Sequence, residues 1–261
     1  MEYILSKDNL LIKDIKKLKE KKYRMSSNMF LVEGFRFTRE ALNSNFEVVN
    51  IFISASGEAK YESSSMEDKL QKNTKVYGVS DSLFKSVCDT DNPQGILAVV
   101  RNTPVEIKYD YGFYILADKI QDPGNMGTII RTAHAAGALG VIITKGTVDI
   151  YNDKTLRSTM GSIFKIPVIY DENLSLVQRL KSDGFKLITS SLDTDNNFYD
   201  IDLTQKVIIS VGNEGNGICE DVYNMCDIKV KIPMPGGAES LNAAVAASIM
   251  MYEAVRQKNI I

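Results

Sequence analysis

Cysteine and histidine are scarce in this chain of 261 residues, at three and one. Cys88, Cys219 and Cys226 fit no metal-ligand spacing, so neither a zinc site nor a disulfide framework is expected, only reduced, partly buried thiols. No apolar run is long enough to cross a bilayer, and no charged, apolar, small-residue order marks a signal peptide; a cytoplasmic protein without membrane contact is the expectation. An excess of positive charge is missing too: 31 Lys and Arg face 33 Asp and Glu, a formal net charge of -2. That total argues against a uniformly basic surface for nucleic acid. Two nucleotide fingerprints are absent as well. Gly-x-Gly-x-x-Gly with an acid at the required interval does not occur, nor does Gly-x-x-x-x-Gly-Lys-Ser/Thr, and no repeat of 20 to 50 residues is apparent.

The charge that is present is unevenly placed. Lys13, Lys16, Lys17, Lys19, Lys21, Lys22 and Arg24 stand against only Asp14 and Glu20 in their stretch. A solvated helix face is the plain explanation of such a run; a basic arm for a polyanion is the sharper one. Residues Asn9 to Lys22 read as one amphipathic helix, with Leu10, Leu11, Ile15 and Leu18 along one side. Strands are expected at Phe30–Gly34, Val48–Ile53, Lys75–Val79 and Gly95–Val100, and helices at Phe35–Leu42 and Ser80–Val87. The serine-rich stretch around Tyr61 to Met66 reads as surface loop or short helix. These elements make a small α/β domain over residues 1–102, and the polar stretch 103–110 reads as a linker.

Strands and helices alternate over residues 111–261. Strands are expected at Phe113–Ala117, Val141–Thr144, Pro167–Tyr170, Lys186–Ser190, Val207–Val211 and Ile228–Ile232, and helices at Met126–Ala136, Lys154–Met160, Ser175–Ser182 and Ser240–Arg256. Such alternation gives a mainly parallel sheet covered on both faces. A chain of this length buries roughly 70 to 75% of its unfolded surface, enough for one large core or two modest ones, and two domains are the expectation.

Three polar, glycine-rich clusters sit at strand ends, where α/β sheets present their ligand sites. They are Asp122 to Gly127 followed by Arg131, Gly212 to Gly217, and Ile232 to Gly237 running into Ser240, Leu241 and Asn242. Taken singly, each is explained as a turn. Together, in order and spacing, they resemble the motifs of the SpoU/TrmH branch of the SPOUT RNA methyltransferases. Asn125 with Arg131 matches the first motif, Gly212 to Gly215 the Gly-x-Glu-Gly second, and Ile232 to Met234 with Ser240 to Asn242 the third.

The resemblance implies an S-adenosylmethionine-dependent ribose 2'-O-methyltransferase of RNA. It implies a trefoil knot in the catalytic domain, a homodimer formed through that domain, and a preceding RNA-binding domain of ribosomal-protein type. Gly212, Ile232 and Leu241 are the matching cofactor positions, with Asn213, Gly217 and Met234 beside them. Arg131, Asn125, Glu214, Ser240 and Asn242 carry the catalytic motifs. An arginine is a poor base, so Arg131 would orient or polarise the hydroxyl, or act with an RNA phosphate. Asn125 and Ser240 also sit where helix N-caps belong, and Asn242 is read as facing the substrate. His134 is read as structural. Candidate RNA contacts are Lys16, Lys17, Lys21, Lys22, Arg24 and Arg36, with Lys154 and Arg157, for which a packed surface helix is an equal reading. The two-domain layout favours 23S rRNA, with guanosine the preferred nucleoside. The alternatives are a tRNA enzyme of the same chemistry and a non-catalytic ribosome-associated RNA-binding factor.

Overall fold

The computed structural model describes residues 1–103, 106–213 and 215–258, and they form two compact units. The first comprises Met1–Pro104 with Tyr151–Phe164, the second Val105–Ile150 with Lys165–Ile261. The expected catalytic half is therefore interrupted: the stretch from Tyr151 to Phe164 packs as part of the first unit.

The first unit is built on a five-stranded sheet of β1 (Glu2–Ile4), β2 (Met29–Glu33), β3 (Glu47–Ser54), β4 (Lys75–Val79) and β5 (Ile96–Arg101), in the order β1-β4-β3-β5-β2. β1, β4 and β3 run parallel, while β5 is antiparallel to both β3 and β2. Alternation decides which side chain faces which layer. Leu97 and Val99 of β5, with Phe52 of β3, share a core with Ile12 and Ile15 of α1 (Leu10–Lys17). The chain breaks after α1 and starts again as α2 (Lys21–Ser27), so the single helix expected over Asn9–Lys22 is two. The break has a cause. Leu18 turns into the core, and the Arg24 guanidinium donates to the carbonyls of Leu18 and Lys19, both at 2.7 Å, satisfying groups that a continuing helix would have used.

The sheet also carries α3 (Phe35–Leu42), α4 (Glu58–Glu62) and α5 (Asp81–Lys85). Tyr61 and Met66, expected at the surface, are buried, because the serines between them make local turn hydrogen bonds and leave the two large side chains to fill the core. Cys88 is buried beside α5, and the loss of solvent pushes its thiol up to about 12. All three cysteines are free, and no cluster of metal-ligating side chains occurs among the described residues.

After the second unit's first strand, β6 (Phe113–Ala117), and its helix α6 (Pro123–Ala135), come β7 (Gly140–Ile143) and then α7 (Asp153–Thr159), which belongs to the first unit. Phe30 of β2 stacks on Tyr151 with centroids 4.3 Å apart, and Phe164 lies 5.2 Å from both Phe37 and Phe46. This aromatic cluster is why the segment leaves its sequence neighbours.

The second unit resumes with β8 (Val168–Tyr170), α8 (Ser175–Ser182), β9 (Lys186–Ser190), β10 (Val207–Val211), α9 (Glu220–Met225), β11 (Ile228–Val230) and α10 (Ala243–Lys258). Its six strands are all parallel, ordered β11-β9-β10-β6-β7-β8. β6 and β10 are buried throughout, as expected for central strands covered on both faces. On one face Tyr114, Leu116, Ile142, Leu187 and Ile208 meet α8 and α9; α6 and α10 pack together and against β7 and β10 respectively. The short β1 and α9 were not expected: three and six residues carry too little periodicity to stand out. No helix of the described residues is long and apolar enough to cross a membrane.

Candidate functional site

The site of the second unit grows from the carboxyl ends of β6 and β10, which lie side by side with Ala117 opposite Val211. Beyond Val211 the chain makes a closed loop. Asn213 and Gly217 exchange both backbone hydrogen bonds at 2.9 Å, and the Asn213 carboxamide oxygen accepts from the N–H groups of Gly215 and Asn216. Its Nδ2 donates to the Lys119 carbonyl at 2.9 Å, fastening the loop to the end of β6. Gly212 is required by contact: a Cβ built there would lie 2.2 Å from the Gly217 carbonyl carbon and 2.4 Å from the Ile218 nitrogen. Glu214 lies outside the described residues.

A residue that motif reading passed over holds the other side of the loop. Asp118 is fully buried, accepting from the Cys219 N–H at 2.6 Å and from the Thr144 hydroxyl at 2.7 Å. Thr144 in turn accepts from the Lys119 N–H at 3.0 Å. One carboxylate thus ties the ends of β6 and β7 to the exit of the glycine loop. The only signal in the sequence is an Asp closing an otherwise apolar strand, Phe113 to Asp118. Asp118→Ala should leave a buried N–H and hydroxyl without their acceptor and cost about 3 to 5 kcal/mol. Thermal melts of the two proteins, each with and without S-adenosylmethionine, check this; an unchanged melting temperature would count against the tether.

The third loop closes the arrangement. Asn242 accepts from the N–H groups of Ala244 and Val245 at 2.9 and 3.2 Å, so it caps α10 in place of Ser240, and the helix starts three residues later than expected. With its oxygen committed to the cap, its Nδ2 donates to Asn125 Oδ1 at 3.0 Å. Asn125 is likewise not a cap. Asp122 caps α6 by accepting from the Asn125 N–H at 2.7 Å, and Pro123 occupies the first helical position, so Asn125 sits a turn inside the helix. Ser240 is exposed beside the cavity, and Arg131 is exposed on α6 with no hydrogen bond or ion pair to any described residue.

These loops enclose a cavity of about 450 Å³. Its walls are Gly212, Asn213 and Gly215 to Gly217 with Ile232, Met234 and Leu241, and Ser190 to Asp193 after β9 form a further wall that sequence reading missed. The volume falls within the usual small-molecule range of about 300 to 1,000 Å³. The loop's N–H groups are bonded within the loop, so what it offers a ligand is carbonyl oxygens beside apolar side chains, which suits a neutral adenosine and the single positive charge of a sulfonium. A phosphate would instead ask for a basic or N–H-lined nest. The residues present fit S-adenosylmethionine.

In the first unit, Lys16, Lys21, Lys22 and Arg36 are exposed, while Lys17 pairs with Asp14 at 3.0 Å. Arg24 is committed to the carbonyls that end α1. On α7, Lys154 is exposed and Arg157 pairs with Asp153 at 2.6 Å.

Comparison with known proteins gives this geometry a family. A sequence model of the SpoU rRNA Methylase family matches residues 112–252, and one described as the MRM3-like substrate binding domain matches residues 9–98. The chain is 38% identical over 252 residues to the 23S rRNA (guanosine(2553)-2'-O)-methyltransferase RlmP of Bacillus subtilis, covering 97% of this chain and 98% of that one. The crystal structure of the SpoU methyltransferase AviRb from Streptomyces viridochromogenes in complex with AdoMet superposes with a TM-score of 0.88 at 29% identity, covering 96% and 98%. An AdoMet-bound rRNA methyltransferase from Sinorhizobium meliloti gives 0.86 at 28%, covering 98% and 97%. With a family model spanning the cavity-bearing half and a relative matched end to end, the chain belongs to the SpoU rRNA methylase family, S-adenosylmethionine-dependent RNA ribose 2'-O-methyltransferases.

Proposed function

We propose that this enzyme methylates the ribose of a guanosine in 23S rRNA. The observation that carries the reading is the end-to-end likeness to a relative named for that reaction, which includes the RNA-recruiting half. A tRNA substrate is the second reading; the matched substrate-binding domain of residues 9–98 speaks against it.

S-adenosylmethionine supplies an electrophilic methyl carbon. The chain's residues have two remaining tasks: to hold the 2'-oxygen in line with that carbon, and to ease loss of its proton. Gly212, Asn213, Gly217, Ile232, Met234 and Leu241 hold the cofactor. Asn125 and Asn242, locked to one another, and Ser240 and Glu214 position the ribose. Arg131 orients and polarises the hydroxyl, since a guanidinium with a pKa above about 12 does not act as a base. In the first unit, Lys16, Lys17, Lys21, Lys22, Arg36, Lys154 and Arg157 meet RNA phosphates, with Arg24 holding the fold beneath them. The trefoil threading and the homodimer belong to the same reading. The return of the chain from the edge strand β11 to α10, packed on the central β10, supports the threading.

The test supplies methyl-labelled S-adenosylmethionine with unmodified 23S rRNA and tRNA in separate reactions. Label confined to rRNA, mapped to one guanosine 2'-oxygen, is expected. Label in tRNA alone would overturn the substrate, and label on another nucleoside would overturn the guanosine.

A further inference from the structure

A second cavity, of about 350 Å³, lies within the first unit, between α3, the loop that precedes β5, and α7. Its apolar lining includes Leu31, Leu97, Leu156 and Met160. Its rim is polar, and the state of that rim decides what fits. Glu33 accepts from the Thr90 hydroxyl and from the Asp89 N–H; Asp89 pairs with Lys19 at 2.8 Å, and Asp153 pairs with Arg157. These acids are satisfied from within the unit. Arg36, in contrast, is exposed and makes no ion pair with a described residue. Gln94 is held in one orientation, its Oε1 accepting from the Phe35 N–H at 3.3 Å, and its amino group has no partner among the described residues. The Asn92 carboxamide is similarly unengaged.

We propose that this cavity receives one unstacked nucleobase of the RNA substrate. A mostly apolar cavity with the Gln94 amino group and the Asn92 carboxamide unengaged at its rim matches a base, whose faces are apolar and whose edge carries donors and acceptors. Arg36 then meets the adjoining phosphate or stacks on the base. Met160 stands half-exposed at the end of α7 in a left-handed conformation, φ +50°, a setting that an L residue adopts at a cost. Its thioether contributes to the wall of the cavity. The segment carrying it is the one that leaves its sequence neighbours to join the first unit, and it supplies Asp153, Leu156, Arg157, Met160 and Gly161 to the lining. The inference rests on the RNA-methyltransferase reading and adds to it a place where the recruiting unit reads a single unpaired position.

The experiment uses the full chain and 5'-labelled RNA hairpins that are fully paired or carry one bulged A, C, G or U, or an abasic bulge at the same place, followed by fluorescence anisotropy. At least one bulged base should bind about tenfold more tightly than the abasic hairpin, the scale of one stacked base. Gln94→Ala and Met160→Ala should erase that preference while leaving binding of the abasic hairpin and of S-adenosylmethionine unchanged. Equal binding of all bulged and abasic hairpins would overturn the proposal and leave the cavity to a non-nucleotide ligand. A preference that survives both substitutions would place the base elsewhere. Methyl transfer to 23S rRNA by the unaltered chain, measured in parallel, separates the two ideas. Transfer without base preference sinks the pocket alone, and absence of transfer sinks the enzymatic reading.

Discussion

Gly212→Ala should cost about 3 kcal/mol or more of stability and weaken S-adenosylmethionine binding on the order of 10²-fold. The expectation follows from the position of the missing atom. A Cβ at residue 212 meets backbone on the far side of the loop at 2.2 to 2.4 Å, and backbone, unlike the tip of a side chain, cannot rotate away. The loop must open, and opening it breaks the paired hydrogen bonds of Asn213 and Gly217 and pulls on the Asn213–Lys119 link. Calorimetric titration of the cofactor and a thermal melt on the same preparation test both halves. A normal melt with normal affinity would show that the loop yields without cost and that its closed form does not shape the pocket. Gly217→Ala is the informative contrast. A Cβ there meets nothing within 4 Å, so only its φ of +66° is penalised, and the loss should be about 1 kcal/mol.

Arg131→Ala should reduce the rate of methyl transfer by about 10² to 10⁴-fold while S-adenosylmethionine binds as before. Arg131 projects from the exposed face of α6 and carries no structural hydrogen bond to a described residue, so its removal leaves the fold alone. Single-turnover transfer under saturating RNA measures the chemical step, free of any change in RNA affinity. Arg131→Lys keeps the charge but loses the planar fork, and a substantial loss in that variant too would show that geometry rather than charge alone is required. Unchanged single-turnover rates in Arg131→Ala would remove this residue from the reaction and return attention to Ser240 and Glu214.

Much of the sheet was legible because parallel, doubly covered strands are short apolar runs; the strands at Phe113–Ala117, Lys186–Ser190 and Val207–Val211 fall where those runs fall. The three loops were legible because glycine and polar residues interrupt the runs at strand ends. Helix starts were less so. The Asp122-Pro123 pair states where α6 begins, yet Asn125 competes for the same role on composition alone, and only the observed bond from its own N–H to Asp122 decides between them. Ser240 lost the cap of α10 to Asn242 for the same reason: two capping residues lie within three positions, and the chain path chooses between them. What no pattern carried was contact across the sequence. Asp118 and Cys219, joined by a hydrogen bond, are 101 positions apart, as Asn125 and Asn242 are 117 apart. The placement of Tyr151 to Phe164 was illegible too, because the aromatic partners that claim it lie before residue 50.

That placement also bears on how the protein is made. The first unit is discontinuous in sequence, and its aromatic cluster around Phe30, Phe37 and Phe46 lacks Phe164 and Tyr151 until those residues have left the ribosome. While β6, α6 and β7 are being synthesised, the nascent first unit waits with part of its apolar surface uncovered. The leading unit therefore cannot close before the next has begun: it is completed only once Phe164 emerges, with β6, α6 and β7 of the second unit already made and β8 to α10 still to come.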